Sequence, residues 1–323
     1  MKTQLIMLPK AKELLDNAIK QGAKESRKGK KHPNKFIQAR KEHIVRIKRI
    51  NNYLNEKISN CLDKFPTFEA SFFTEMVSTI IELNELKKIL SHLNKMRKLA
   101  YGFSRKYSSM LYNAQNERQI ISLYRQFLGR LFSLEKDLDK SITKLNKIIP
   151  ALNKIPNIKE EKAIILAGFP NTGKTTILSR LTKSRPKIAA YAFTTKDLMI
   201  GYFEERFSRI LIIDTPGLLD KEKEKRNKIE QKTINALKHL AKAIFFVIDP
   251  TEQCGFSLEK QLELLGQLKE FGVPIIAIVN KTDIASKKQI DSIKTKEKIV
   301  LSGNEREKQF RQEIAEEIKR LKI

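Results

Sequence analysis

The chain has 323 residues, enough for two domains that each bury a core. Hydrophobic residues make up 41%, and 64 Lys and Arg stand against 37 Asp and Glu, a net charge of +27. This composition excludes a disordered chain, the lack of any run of about 18 apolar residues excludes a membrane-spanning helix, and two cysteines, Cys61 and Cys254, exclude a disulfide framework or a cysteine metal cluster.

The start, Met1 to Pro9, is too short and interrupted for a secretory signal, so the expectation is a soluble, cytoplasmic protein. Residues 1–160 carry +18 and residues 161–323 carry +9. Such an excess implies a polyanionic partner, nucleic acid first and an anionic membrane surface second. No lipidation signal supports the second, and no stable membrane association is expected. A general lysine bias spread over all faces is the bland alternative.

Residues 1–157 read as a basic domain of antiparallel helices. One helix is predicted from about Leu5 to Gln21, and Pro33 opens a second to about Asp63. Pro66 ends that element, and Thr67 to Ala70 begins another with apolar positions at Phe72, Phe73, Met76, Ile80 and Ile81. A long segment from Asn113 to Ile149 puts Ile120, Leu123, Tyr124, Phe127, Leu128, Leu131, Leu134 and Leu138 on one face. Pro150 and Pro156 mark a linker.

The most basic stretch contains Lys24, Arg27, Lys28, Lys30, Lys31, Lys35, Arg40, Lys41, Arg46, Lys48 and Arg49 against only Glu25 and Glu42. One-signed charge flanking an apolar helical seam points to phosphate contact, and RNA is the expected ligand. Lys95-Met96-Arg97-Lys98 and Arg105-Lys106 could extend this footprint, while Tyr101 and Tyr107 read as core or cap residues.

Residues 158–323 alternate strands and helices, the pattern of a mostly parallel sheet. Strands are predicted at Ala163–Ala167, Ile210–Asp214, Ala243–Ile248, Ile275–Asn280 and Lys298–Leu301. The first runs into Gly168-Phe169-Pro170-Asn171-Thr172-Gly173-Lys174-Thr175, of the form G-x-x-x-x-G-K-[ST], followed by a helix. Backbone N–H groups and a helix N-terminus there favour a phosphate, with Lys174 on its outer oxygens and Thr175 on Mg²⁺.

Asp214-Thr215-Pro216-Gly217 ends the second strand. Asp214 can hold the water shell of Mg²⁺ and the Gly217 N–H can sense a γ-phosphate. Asn280-Lys281-Thr282-Asp283 ends the fourth strand. The Asp283 carboxylate can accept guanine N1–H and its 2-amino group, Asn280 braces neighbouring loops, and the Lys281 stem covers the base. Ser302-Gly303 stands where a further base-side loop belongs. Within Tyr191 to Asp197, Thr195 is preferred for closing on Mg²⁺ and the γ-phosphate, with Thr194 as the alternative.

With these motifs in place, the chain resembles the Obg-like GTPases, specifically the nucleolar GTP-binding protein (Nog) subfamily in a compact form. Beyond the three motifs, the resemblance lies in Tyr191-Ala192-Phe193-Thr194-Thr195-Lys196, in Leu218-Leu219-Asp220, in Arg226-Asn227-Lys228-Ile229-Glu230 and in Glu252-Gln253-Cys254-Gly255. It implies GTP/GDP and Mg²⁺ as ligands, with Asn171, Lys174, Thr175 and Thr176 on the nucleotide, Thr195 and Asp214 at the metal and switch, and Asn280, Lys281 and Asp283 on guanine. It also implies a role in large ribosomal subunit assembly. The partners would be rRNA and the pre-large subunit, with a monomer off the ribosome and a nucleolar location in a eukaryote.

Position 218 bears on mechanism. A glutamine there orients the attacking water in many small GTPases, but Leu218 cannot hydrogen-bond, so unaided hydrolysis is expected to be slow. Lys174, Thr195, Gly217 and Asn171 are then the catalytic candidates, with Asn171 as a ligand for a K⁺ ion. Stimulation is expected from K⁺ or from the ribosome. No histidine reads as a base.

Overall fold

The computed structural model describes residues 4–28, 32–69, 71–155, 163–182, 187–189, 198–205, 208–216, 218–219 and 228–322. The chain divides into two compact units, Met1–Thr67 with Ile81–Asn153, and Phe68–Ile80 with Lys154–Ile323.

The first unit is helical: α1 (Ala11–Ser26), α2 (Lys35–Leu62), α4 (Leu83–Tyr112), α5 (Glu117–Phe132) and α6 (Glu135–Leu152). The side chain of Asn34 caps α2 through the Ile37 N–H, and that of Asn116 caps α5 through the Gln119 N–H. The apolar stripes meet in a core that includes Leu14, Leu15, Ile47, Ile50, Leu54, Leu86, Leu93, Phe127 and Leu145. Each such side chain contributes about 1.5–3 kcal/mol by leaving water.

Three expectations are corrected here. Helix α1 begins at Ala11 rather than Leu5, because Pro9 holds the chain ahead of it extended. That extended piece is tied down by α6. Asn153 exchanges two hydrogen bonds with the backbone of Leu5 (2.8 and 3.0 Å), and Asn146 does the same with Leu8 (3.1 and 2.7 Å). The long segment from Asn113 is two helices, broken at Ser133 and Leu134, where the Ser133 hydroxyl donates back to the Arg130 carbonyl at 2.6 Å. Pro150 lies inside the last turn of α6 and not in a linker, since at that place its missing N–H costs only one helical bond.

The second unit is built on a seven-stranded sheet in the order β2-β3-β4-β1-β5-β6-β7. Its strands are β1 (Ala163–Ala167), β2 (Lys187–Ala189), β3 (Leu198–Glu205), β4 (Ser208–Asp214), β5 (Ala241–Ile248), β6 (Ile275–Val279) and β7 (Lys298–Leu301). Strands β4, β1, β5, β6 and β7 are parallel, while β3 runs antiparallel to both β2 and β4. The three-residue edge strand β2 and the eight-residue β3 beside it escape sequence reading: β3 carries Gly201 near its centre and charges at its end, a weak strand signal. Strand β1 lies between β4 and β5, so the chain's direction of winding reverses across it. In such sheets ligands bind beyond the carboxyl ends of the strands at that reversal.

Among the described residues, helices α7 (Lys174–Leu181), α8 (Lys228–Leu240), α9 (Leu258–Gln267) and α11 (Glu307–Arg320) pack on the sheet, and the short α10 (Lys287–Asp291) lies between β6 and β7 in sequence. A further helix, α3 (Phe72–Ser78), comes from the N-terminal part of the sequence yet belongs to this unit. It packs on α8, and the Lys232 ammonium donates to the Ser78 carbonyl at 2.6 Å. The sequence reading placed this segment among the N-terminal helices.

Candidate nucleotide site

A cleft of about 980 Å³ opens at the carboxyl ends of the central strands. At one end is the turn between β1 and α7. Gly173, at φ 98°, caps α7 in the left-handed region, and a Cβ there would collide with the side-chain nitrogen of Asn280. Only glycine fits. Asn171 is also left-handed, at φ 61°, and exposed. Lys174 is buried, and its ammonium donates to the carbonyls of Gly168 and Phe169, both at 2.8 Å. Thr172 is buried and donates to the Phe169 carbonyl at 2.9 Å, so it shapes the loop from behind. Thr176 lines the cleft beside Pro170 and Asn171.

The metal candidates converge. Thr175 Oγ1 donates to Asp214 Oδ2 at 2.9 Å, and the Asp214 side chain is fully buried at the end of β4. A hydroxyl and a carboxylate so close, both facing the phosphate turn, are the hard oxygen donors that suit Mg²⁺. Thr215 turns inward and donates to the Leu166 carbonyl at 3.1 Å, which locks the turn after β4 to β1. Leu218 is buried, so its side chain offers nothing to a water in the cleft. Thr195 and Gly217 lie outside the described residues, as does the stretch from Tyr191 to Asp197.

Asn280, Lys281 and Asp283 line the same cleft. Asn280 Nδ2 donates to the Thr172 carbonyl at 3.0 Å, which ties the loop after β6 to the turn between β1 and α7. Ser302 and Gly303 pack behind Asp283. Ser302 is fully buried and its carbonyl accepts the Thr282 N–H at 3.2 Å, while a Cβ on Gly303 would stand 2.5 Å from the Thr282 hydroxyl. That close approach accounts for a glycine in this loop. The residue that reaches the cleft from it is Asn304, whose Nδ2 donates to Asp283 Oδ2 at 2.7 Å. Arg180 of α7 donates in turn to Asn304 and to Ser302.

Sequence reasoning missed Asn304, Arg180, Phe256 and Asp249. Asp249 directly follows β5 and Asp214 is the last residue of β4; an apolar strand running into an aspartate in both places was the available signal. Burial pushes its pKa up, but hydrogen bonds from Lys281 and Thr251 and the Lys281 charge outweigh this and hold it below the usual value. Nearby Cys254 is buried, and burial raises its thiol pKa, so it is a packing residue rather than a nucleophile.

In the helical unit the basic stretch divides. Lys24, Arg27, Lys28, Lys35, Lys41 and Lys48 are exposed. Arg40, Arg46 and Arg49 are half-buried, and two of them hold the unit together: Arg40 donates to the Ala114 carbonyl at 2.7 Å and Arg46 to the Ser26 hydroxyl at 2.9 Å. Lys30 and Lys31 lie outside the described residues. Tyr107 is buried edge-on to Phe127, whereas Tyr101 is 58% exposed and is neither core nor cap. Among the described residues, no helix is long and apolar enough to cross a membrane.

Two family models match the chain: one described as the NOG1 N-terminal helical domain over residues 3–159, and one described as 50S ribosome-binding GTPase over residues 163–281. An uncharacterized protein of Methanocaldococcus jannaschii is 31% identical over 295 residues, 90% of this chain and 82% of its own length. Nucleolar GTP-binding protein 1 of Candida glabrata is 32% identical over 267 residues, 81% of this chain and 41% of its own. The Caenorhabditis elegans protein of the same name is 30% identical over 286 residues, 87% and 42% respectively. The chain thus spans about two fifths of the length of these nucleolar relatives. A NOG1-type helical region followed by a P-loop GTPase domain on a mostly parallel sheet places the chain in one group: it belongs to the NOG1 family.

Proposed function

We propose that the chain is a GTP-hydrolysing switch that binds rRNA through its basic helical region during assembly of the large ribosomal subunit and leaves after hydrolysis. One observation supports this most: a single cleft is lined both by Lys174, Thr175 and Asp214 and by Asn280, Lys281 and Asp283. The first set suits a chain of phosphates and the second suits guanine, whose N1–H and 2-amino group give a carboxylate two donors that adenine lacks.

The Thr175 hydroxyl and Asp214 would hold Mg²⁺, which when bound neutralises charge on the outer phosphates. The N–H groups of the loop Gly168 to Thr175 and the start of α7 bind and orient the triphosphate. In the reaction a water oxygen bonds to the γ-phosphorus and the bond to the β–γ bridging oxygen breaks, giving GDP and phosphate. Lys174 would stabilise the charge that grows on the leaving oxygen. Thr195 and Gly217 would close on the γ-phosphate.

Leu218 is turned into the protein, so the group that orients the water comes from elsewhere, through a K⁺ ion on Asn171 or through the ribosome. The same leucine supports a second reading, a GTP-dependent RNA-binding placeholder whose hydrolysis is incidental. Hydrolysis rates in K⁺ and in Na⁺, with and without large subunits, test the first reading. It predicts a rise of at least about tenfold with K⁺ or subunits, and equal rates throughout would leave the placeholder.

A further inference from the structure

The loop after β5 holds the Glu252-Gln253-Cys254-Gly255 signature, and none of the phosphate or base chemistry above uses it. It closes on one carboxylate. Asp249 is fully buried, and its Oδ1 accepts the Thr251 N–H at 3.0 Å and the Thr251 hydroxyl at 2.6 Å. Its Oδ2 accepts the Cys254 N–H at 2.9 Å and the Lys281 ammonium at 2.6 Å. Glu252 and Gly255 are both left-handed, at φ 58° and 87°, which bends the chain back so that the Cys254 N–H points at the carboxylate. Gln261 of α9 fastens the loop's base by accepting the Asp249 N–H at 2.9 Å and donating to the carbonyls of Asp249 and Phe256. At the far end Phe256 stacks on Phe169 of the phosphate loop, with centroids 4.0 Å apart and planes 13° apart.

A buried carboxylate needs a compensating cation, and Lys281 supplies it. A lysine that only shields a base needs its hydrocarbon stem, and its ammonium could stay in water. A free lysine stem, however, has many rotamers to lose when a base arrives. Anchoring the ammonium at 2.6 Å on a fixed carboxylate removes that freedom in advance.

We propose that Asp249 is a positioning residue of the guanine site: it holds the Lys281 ammonium so that the lysine stem already stands at the base end of the cleft. This rests on the reading of Asn280 to Asp283 as a guanine site. The Glu-Gln-Cys-Gly turn then has a purpose, which is to surround that carboxylate with donors and keep it in place.

The test is a double-mutant cycle on the full chain with Mg²⁺, measuring Kd for GDP and ADP in wild type, Asp249→Asn, Lys281→Met and the double variant. Asn keeps the shape without the charge, and Met keeps the stem without the ammonium. Each single change is expected to weaken GDP by about three- to tenfold, the scale of one long side chain left to be ordered on binding. The double variant is expected to be no weaker than the worse single one. Losses that multiply would make Asp249 a support of the loop alone and overturn the proposal, as would unchanged GDP affinity in Lys281→Met. If Asp249→Asn does not fold, Lys281→Met decides by itself. A wild type that binds ADP as tightly as GDP would overturn the underlying guanine reading instead.

Discussion

At the scale of single residues, the proposed preference for guanine turns on Asp283. Its carboxylate matches two donors on guanine, and charge-assisted hydrogen bonds of that kind contribute about 1.5–3 kcal/mol each. Asp283→Asn replaces one acceptor with a donor, a pattern that fits the C2 carbonyl of xanthine. The expected outcome, read by competition with a fluorescent nucleotide, is a loss of GDP affinity of roughly a hundredfold and a gain of xanthosine diphosphate binding. Unchanged preference for GDP would remove Asp283 from the base site. The motif residues that line the cleft were legible as a group because their motifs follow strands at fixed spacing. Asp249, Phe256, Arg180 and Asn304 were not, because each acts on a partner far away in sequence: Lys281, Phe169, Ser302 and Asp283. Only folding brings those pairs together.

Among the elements, α1, α2 and the α5–α6 segment were legible from their 3.6-residue period, but their ends were not, and the 30-residue α4 was not singled out. The break at Ser133 and the extended start held by Asn146 and Asn153 depend on polar side chains whose partners the period does not reveal. One contact between helices has a pH dependence. His43 on α2 stands edge-on to Tyr124 on α5, with centroids 4.8 Å apart. Burial lowers its pKa below 6.5, Arg46 lowers it further, and the Ala39 carbonyl and Glu42 oppose them without prevailing. The unfolded chain therefore binds this proton more readily. The stability His43 contributes is present above pH 6.5 and is lost as pH falls through the depressed folded value. Thermal melting at pH 5.5 and 7.5 should show a drop for wild type that shrinks in His43→Gln; an equal drop in both would assign it to other groups.

For the whole molecule, charge and topology have to be joined. The chain passes between its two units at residues 67–68, 80–81 and 153–154, so helix α3 belongs to the GTPase unit while the helices before and after it in sequence belong to the other. Hydrophobic period alone could not tell this, since Phe72 and Met76 are buried just as core residues of the first unit are. The proposed binding to rRNA, drawn by a net charge of +27, should weaken steeply as salt rises. What turns a basic GTPase into a switch is a difference in that affinity between its nucleotide states. The most direct measurement is the Kd of the chain for purified large ribosomal subunits when loaded with a non-hydrolysable GTP analogue and when loaded with GDP, at one fixed salt concentration. The account predicts binding at least about tenfold tighter with the GTP analogue. Equal affinity in the two states would contradict it.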